Sequence, residues 1–211
     1  YKSLSTANLP DPAIDPAKGE NPTDYFNTAL YTGTGSNQSV TVGFQPDFTW
    51  IKERNSSTDH ALTNSVIGAS KYLKSNGTDA ESDSGTFVVQ SFDSNGFTIG
   101  TSGNFNGSSD TYASWNWKAG GSGVSNTDGS ITSTVSASTK AGFSVVKFDG
   151  DSSNTTVGHG LTQAPEMVIT KGTNFSDNWH TQVYPLIAAT KTLGLNIRDG
   201  ALDSAAFNRT A

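Results

Sequence analysis

Tyr25–Lys71 reads YFNTALYTGTGSNQSVTVGFQPDFTWIKERNSSTDHALTNSVIGASK, and its layout returns in the second half of the chain. Phe26–Gly33 (FNTALYTG) matches Phe143–Gly150 (FSVVKFDG), and Val40, Gly43 and Phe44 match Val157, Gly160 and Leu161. Gln45–Lys52 (QPDFTWIK) matches Ala164–Lys171 (APEMVITK), and Gly68–Leu73 matches Ala188–Leu193. The offset is 117 residues at first and drifts to 119 and then 120, as a few inserted loop residues would cause. A repeat that keeps apolar, Gly and Pro positions while polar ones vary preserves a fold and not a catalytic site.

Composition points the same way. Of the 211 residues, 33% are apolar and 15% charged, with Gly, Ser, Thr and Asn abundant. That mixture is poor for helices and suits short strands joined by many turns. The 11 Phe, 6 Tyr and 4 Trp supply the bulk of a core, which argues against wholesale disorder. A net charge of −6 without any Lys/Arg run argues against nucleic acid as a partner, which would require a clustered basic patch. Cysteine is absent, so disulfides, thiolate metal sites and thiol nucleophiles are excluded. No apolar run approaches the roughly 18 residues of a membrane span, so no membrane insertion is expected.

The repeat divides the chain. Residues 1–22 carry four prolines (10, 12, 16 and 22) and read as an extended Pro-rich arm, because proline lacks the backbone donor a central strand needs. Residues 23–121 form the first unit. Its strands are expected over 25–32, 39–44, 48–52, 86–92, 97–100 and 111–118. Asn95-Gly96 signals a tight hairpin whose turn uses the positive φ of such dipeptides. Residues 61–73 are compatible with a short helix or a strand pair. Ala119–Gly123 (AGGSG) and the segment 122–129 read as a flexible linker. Residues 130–211 form a second unit with strands over 130–137, 143–148 and 167–171. This second unit is incomplete, because Phe207 aligns with Phe87 and nothing corresponds to 93–118. A sandwich lacking strands leaves backbone edges unpaired. Either the chain continues past Ala211, the favoured expectation, or another subunit supplies the strands.

In their shared order, YFNTALYTG, VGFQPDFTWIKER, DHALTNSVIGASKYL, SFDSNGFTIG and YASWNWKAGG resemble a repeat of virion proteins from tailed phages, especially marine ones. The resemblance covers about 23–121 and, as a partial copy, 130–211. It implies an all-β fold of two tandem lectin-like or jelly-roll-like β-sandwich units and a virion location. The partners it implies are other virion proteins and copies of the same chain, a trimer being one arrangement of such fibres, together with a host surface glycan. It brings no catalytic residues. The expected role is a non-enzymatic tail-fibre or adhesin module; the alternative is a capsid or tail decoration protein held by its N-terminal arm.

Individual residues offer few routes to chemistry. His60, His159 and His180 lack the i, i+4 spacing of a helical zinc site, and a loop bond or an aromatic contact accounts for each. His60 and His180 fall at nearly aligned places in the two copies. A glycosidase needs two facing carboxylates, whereas the acids lie mostly in turns; Asp47 and Glu166, each after a proline, read as local turn bonds. Asn104, Asn106, Ser108 and Asp110 alternate along a loop and offer oxygens to calcium, although a solvated loop is the simpler reading. No cofactor and no metal are therefore expected. In TYASWNWK, residues 111–118, Ala113, Trp115 and Trp117 share one face and Tyr112, Ser114 and Asn116 the other. Trp115, Trp117 and Tyr112, with Asn116 and Asp110 beside them, are the candidate glycan contacts. The competing reading is that the Trp-X-Trp face packs the core, since large rings contribute most of its buried area.

Overall fold

The structure is a computed structural model that describes residues 13–151, 153–188, 191–198 and 200–203. Strand β1 (Phe26–Thr32) is followed by β2 (Gln38–Thr41), β3 (Phe48–Glu53), β4 (Ala61–Asn64), β5 (Gly68–Leu73) and β6 (Ser82–Asp83). A hairpin of β7 (Val89–Asp93) and β8 (Gly96–Ile99), one helical turn α1 (Gly103–Asn106) and β9 (Thr111–Trp117) complete the first half. These elements build a six-stranded sheet in the order β1-β9-β3-β4-β5-β6 and a three-stranded sheet β2-β8-β7. Val40, Phe97, Ile99 and Val89 from the smaller sheet meet Ile51, Ala61 and Tyr112 from the larger, closing one apolar core between the layers. Two layers around one core is the arrangement that buries the apolar face of each sheet.

The second half contains a three-stranded sheet, β10 (Val124–Asn126), β11 (Ser133–Ser138) and β12 (Phe143–Phe148). It also contains a four-stranded sheet, β13 (Met167–Thr170), β14 (His180–Val183), β15 (Lys191–Gly194) and β16 (Leu202–Asp203). Its ladder repeats that of β3 to β6. Phe48↔Asn64 recurs as Met167↔Val183, 119 residues on in both strands. Lys71↔Asp83 recurs as Lys191↔Asp203, 120 residues on. Side chains repeat as well: Lys52 Nζ donates to the carbonyls of Glu53 and Ser56, and Lys171 Nζ to those of Gly172 and Phe175. The all-β expectation holds throughout. The described strands of the second half, however, do not close a sandwich of their own.

Three local expectations are corrected. The arm is not extended where it is described: Pro16–Lys18 and Pro22–Asp24 are 3-10 turns. Asp15 and Asn21 cap them through side-chain oxygens that accept from Ala17 N and Thr23 N, and proline at the first position suits a helical start. Residues 1–12 of the arm lie outside the described residues. The linker over 122–129 is not flexible either, because Val124–Asn126 is strand β10, paired with β11. Upstream of it, the buried Asp47 holds Ala119 N at 2.7 Å and Gly121 N at 3.1 Å through one carboxyl oxygen. The bond expected of Asp47 within its own turn thus reaches across the sheet.

The Asn95-Gly96 hairpin forms as expected, with Gly96 at φ +157°. Asp93 pairs with Gly96, so Ser94 and Asn95 make the turn and Gly96 already belongs to β8. Glycine is required there because a Cβ would come within 2.0 Å of the Val40 carbonyl oxygen. The undecided stretch 61–73 is a strand pair, β4 and β5, whose turn is pinned by Asn64 Oδ1 accepting from Val66 N and Ile67 N.

Candidate functional site: an aromatic face and the recess beside it

The register of β1, β9, β3 and β4 lays two rows across the outer face of the six-stranded sheet. One row is Phe26, Trp117, Phe48; the next is Thr28, Trp115, Trp50, Leu62. The second half packs on this face. Phe143 stacks on Trp117 with centroids 6.0 Å apart, and Trp179 is buried with Leu62 and Leu73. The Trp179 indole N–H donates to the Lys74 carbonyl at 2.8 Å. Backbone bonds Glu81 N to Thr173 O and Asp177 N to Thr78 O join the loops of the two halves.

The five candidate glycan contacts separate along this division. Tyr112 and Asn116 are wholly buried between the layers. The Tyr112 hydroxyl accepts from Gly107 N, and Asn116 Nδ2 donates to the carbonyls of Asn27 and Ser114. Neither side chain can reach a ligand. Asp110 holds Asn55 through a 3.1 Å bond. Trp117 lies among Phe26, Phe48 and Phe143 and is an inter-half contact. Trp115 is half-buried on this face, edge-on to Trp50 at 6.4 Å. The competing expectation, that Trp115 and Trp117 fill the core, is also corrected: the opposite face of β9 does. Tyr112 supplies the bulk there, and Ser114 and Asn116 are tolerated because the β1 backbone bonds them. The 104–110 loop is likewise structural. Buried Asn106 accepts from Thr34 N and Gln38 Nε2 and donates to the carbonyls of Ser36 and Gly100.

Beside Trp115 opens a recess of about 300 Å³ walled by Trp50, His60, Asn76, Leu195, Ile197 and Arg198. The Trp50 indole N–H donates to His60 Nδ1 at 2.7 Å, which fixes the ring plane. Asn76 accepts from His60 N and donates to Asp59. Asn196 does the same for Trp179 N and Asn178, so the structural counterpart of His60 is Trp179 and not His180. Lys74 pairs with Asp59 and Asp79, each at 3.1 Å. The Asp59 carboxyl is held below its ordinary value by the Asn76 amide and the Lys74 ammonium. Arg198, by contrast, has no hydrogen bond or ion pair among the described residues.

Burial and the nearby Lys52 ammonium push the His60 imidazole below its ordinary value, with Asp59 opposing. A histidine whose folded value lies below 6.5 contributes stability that is full above 6.5 and is lost as pH falls toward the folded value. Protonation at Nδ1 also removes the acceptor for Trp50. The melting temperature should therefore drop on acidification from pH 7 to pH 5, and His60→Gln, which keeps an acceptor but cannot titrate, should flatten that drop. An unchanged profile in the variant would assign the effect elsewhere.

A ring-sized recess with apolar walls, fixed amides and a guanidinium without a partner among the described residues is equipped to hold a ligand. Among the described residues, no group of three or more His, Asp or Glu gathers to hold a metal ion. Sequence reading singled out Trp50 but missed Leu195, Ile197 and Arg198, because they come from the other half and only inter-half packing brings them near. Residues 21–211 match the family model of DUF7483, a domain of unknown function, and the chain belongs to that family. No curated protein and no solved structure matches the chain.

Proposed function

For this DUF7483 chain we propose a non-enzymatic role on the particle of a tailed phage, as a tail-fibre or adhesin module contacting the host surface. The observation that carries the contact is the recess lined by both Trp50 and Arg198, the latter without a hydrogen bond or ion pair among the described residues. The ordered motif set supports the virion setting by resemblance. An apolar ring face lies against an indole, and a guanidinium binds a carboxylate in a bidentate fork. The ligand class is thus a saccharide carrying a carboxylate. Binding of the purified chain to immobilised acidic and neutral polysaccharides tests this. Trp50→Ala should weaken binding tenfold or more, about 1.4 kcal/mol, and Arg198→Gln should remove the preference for the acidic sugar. Unchanged binding in both variants, or shortening of the polysaccharide, would refute it.

A second reading, a capsid or tail decoration protein, draws on a different feature: among the described residues, the second half presents a strand edge of β13 with no paired strand. Deleting residues 1–22 separates the two roles. The adhesin keeps its glycan binding, whereas a protein clamped by its arm no longer assembles on particles.

A further inference from the structure

In the first half β9 lies between β1 and β3, with seven residue pairs to the former and six to the latter. β12 and β13 align with β1 and β3 in the repeat, yet they belong to separate sheets. Among the described residues no strand pairs with the side of β13 turned away from β14.

The ladder says which groups face that side. Tyr184 N donates to Glu166 O at 2.7 Å, just as Ser65 N donates to Asp47 O. Bonded pairs in an antiparallel ladder recur every second residue, so Val168 and Thr170 bond to β14. The N–H and C=O of Met167 and Ile169 point to the open side. In β3 the matching residues are Phe48 and Trp50, paired with Trp117 and Trp115 of β9. Met167 and Ile169 leave their side chains 54% and 40% exposed. Apolar side chains above an unpaired backbone edge are what an added strand covers.

We propose that this edge of β13 is a strand-acceptor site. It takes, antiparallel, an extended segment with the chemistry of β9: large aromatic residues over Met167 and Ile169, alternating with small polar residues on the other face. The donor is a neighbouring protein chain. A second copy of this chain cannot lend its own β9, which is paired along both edges within its sandwich. The site is independent of the saccharide recess.

Amide exchange of the 211-residue chain, with and without a synthetic TYASWNWK peptide, tests the assignment. Saturating peptide should slow exchange at Met167 and Ile169 tenfold or more and leave Val168 and Thr170 as they were. A scrambled peptide of the same composition should do neither. Ile169→Pro removes an N–H that β14 does not use, so the β14 amides should stay protected while peptide binding is lost. No change at Met167 and Ile169, an equal effect of the scrambled peptide, or peptide binding by Ile169→Pro would overturn the proposal. Protection of the same amides that rises with protein concentration alone would also overturn it, in favour of pairing between copies.

Discussion

Replacing Tyr112 by alanine should destabilise the chain by about 4 kcal/mol, as truncation of a large buried ring does when the site collapses only partly. The residue is wholly buried at the centre of the sandwich. Its ring stacks on Tyr31 at 5.0 Å, and the Tyr31 hydroxyl in turn donates to the Phe105 carbonyl at 2.7 Å. Its own hydroxyl accepts from Gly107 N at 2.8 Å, which ties β9 to the turn after α1. Alanine therefore opens a cavity and leaves a backbone N–H without its partner. Tyr112→Phe removes only the hydroxyl, which also donates to the Gly103 carbonyl at 3.4 Å, and should cost about 1 kcal/mol, within the ordinary net worth of a hydrogen bond. Urea midpoints at constant slope measure both. Trp115→Ala is the necessary contrast: a half-buried ring on the outer face should shift the midpoint less than Tyr112→Ala. Should Trp115 prove the costlier of the two, the core would lie on the wrong side of β9.

This contrast also marks where sequence reading succeeds and stops. Alternation in TYASWNWK assigns Tyr112, Ser114 and Asn116 to one face and the tryptophans to the other, and the strand obeys it. Alternation does not say which face is inside. Size argues for the tryptophans, and the bonds Asn116 Nδ2 makes to the Asn27 and Ser114 carbonyls, invisible in a linear chain, decide the other way. The repeat was legible because apolar spacing, Gly and Pro survive divergence, and the ladder carries it to the level of register. The recess was not legible. Trp50 and Arg198 lie far apart in sequence, and packing of one half on the other sets their meeting. Glycine-rich 119–123 misled for a related reason: composition describes what a backbone is free to do, and a distant carboxyl removes that freedom.

That carboxyl sets the second large effect. Asp47→Ala should cost about 3 kcal/mol, because two N–H groups, those of Ala119 and Gly121, lose their acceptor at a buried position. The damage should also be localised. Gly121 O accepts from Ser65 and Ser136 hydroxyls, so the crossing segment joins the first sheet to β11, and β10 begins three residues later. Freed from Asp47, residues 119–126 should exchange their amide protons faster than the β3–β4 pair, whose ladder is untouched. Asp47→Asn keeps one oxygen able to accept from both donors and should cost about 1 kcal/mol, leaving the linker protected. Asp47→Leu, which keeps bulk but offers no acceptor, distinguishes an anchor from mere bulk: it should lose about as much as Asp47→Ala, and stability near that of the parent would mean that Asp47 only fills space. Slow exchange over 119–126 in Asp47→Ala would show that β10 alone holds the crossing, and the halves would then owe their arrangement to the aromatic contacts of Phe143 and Trp179.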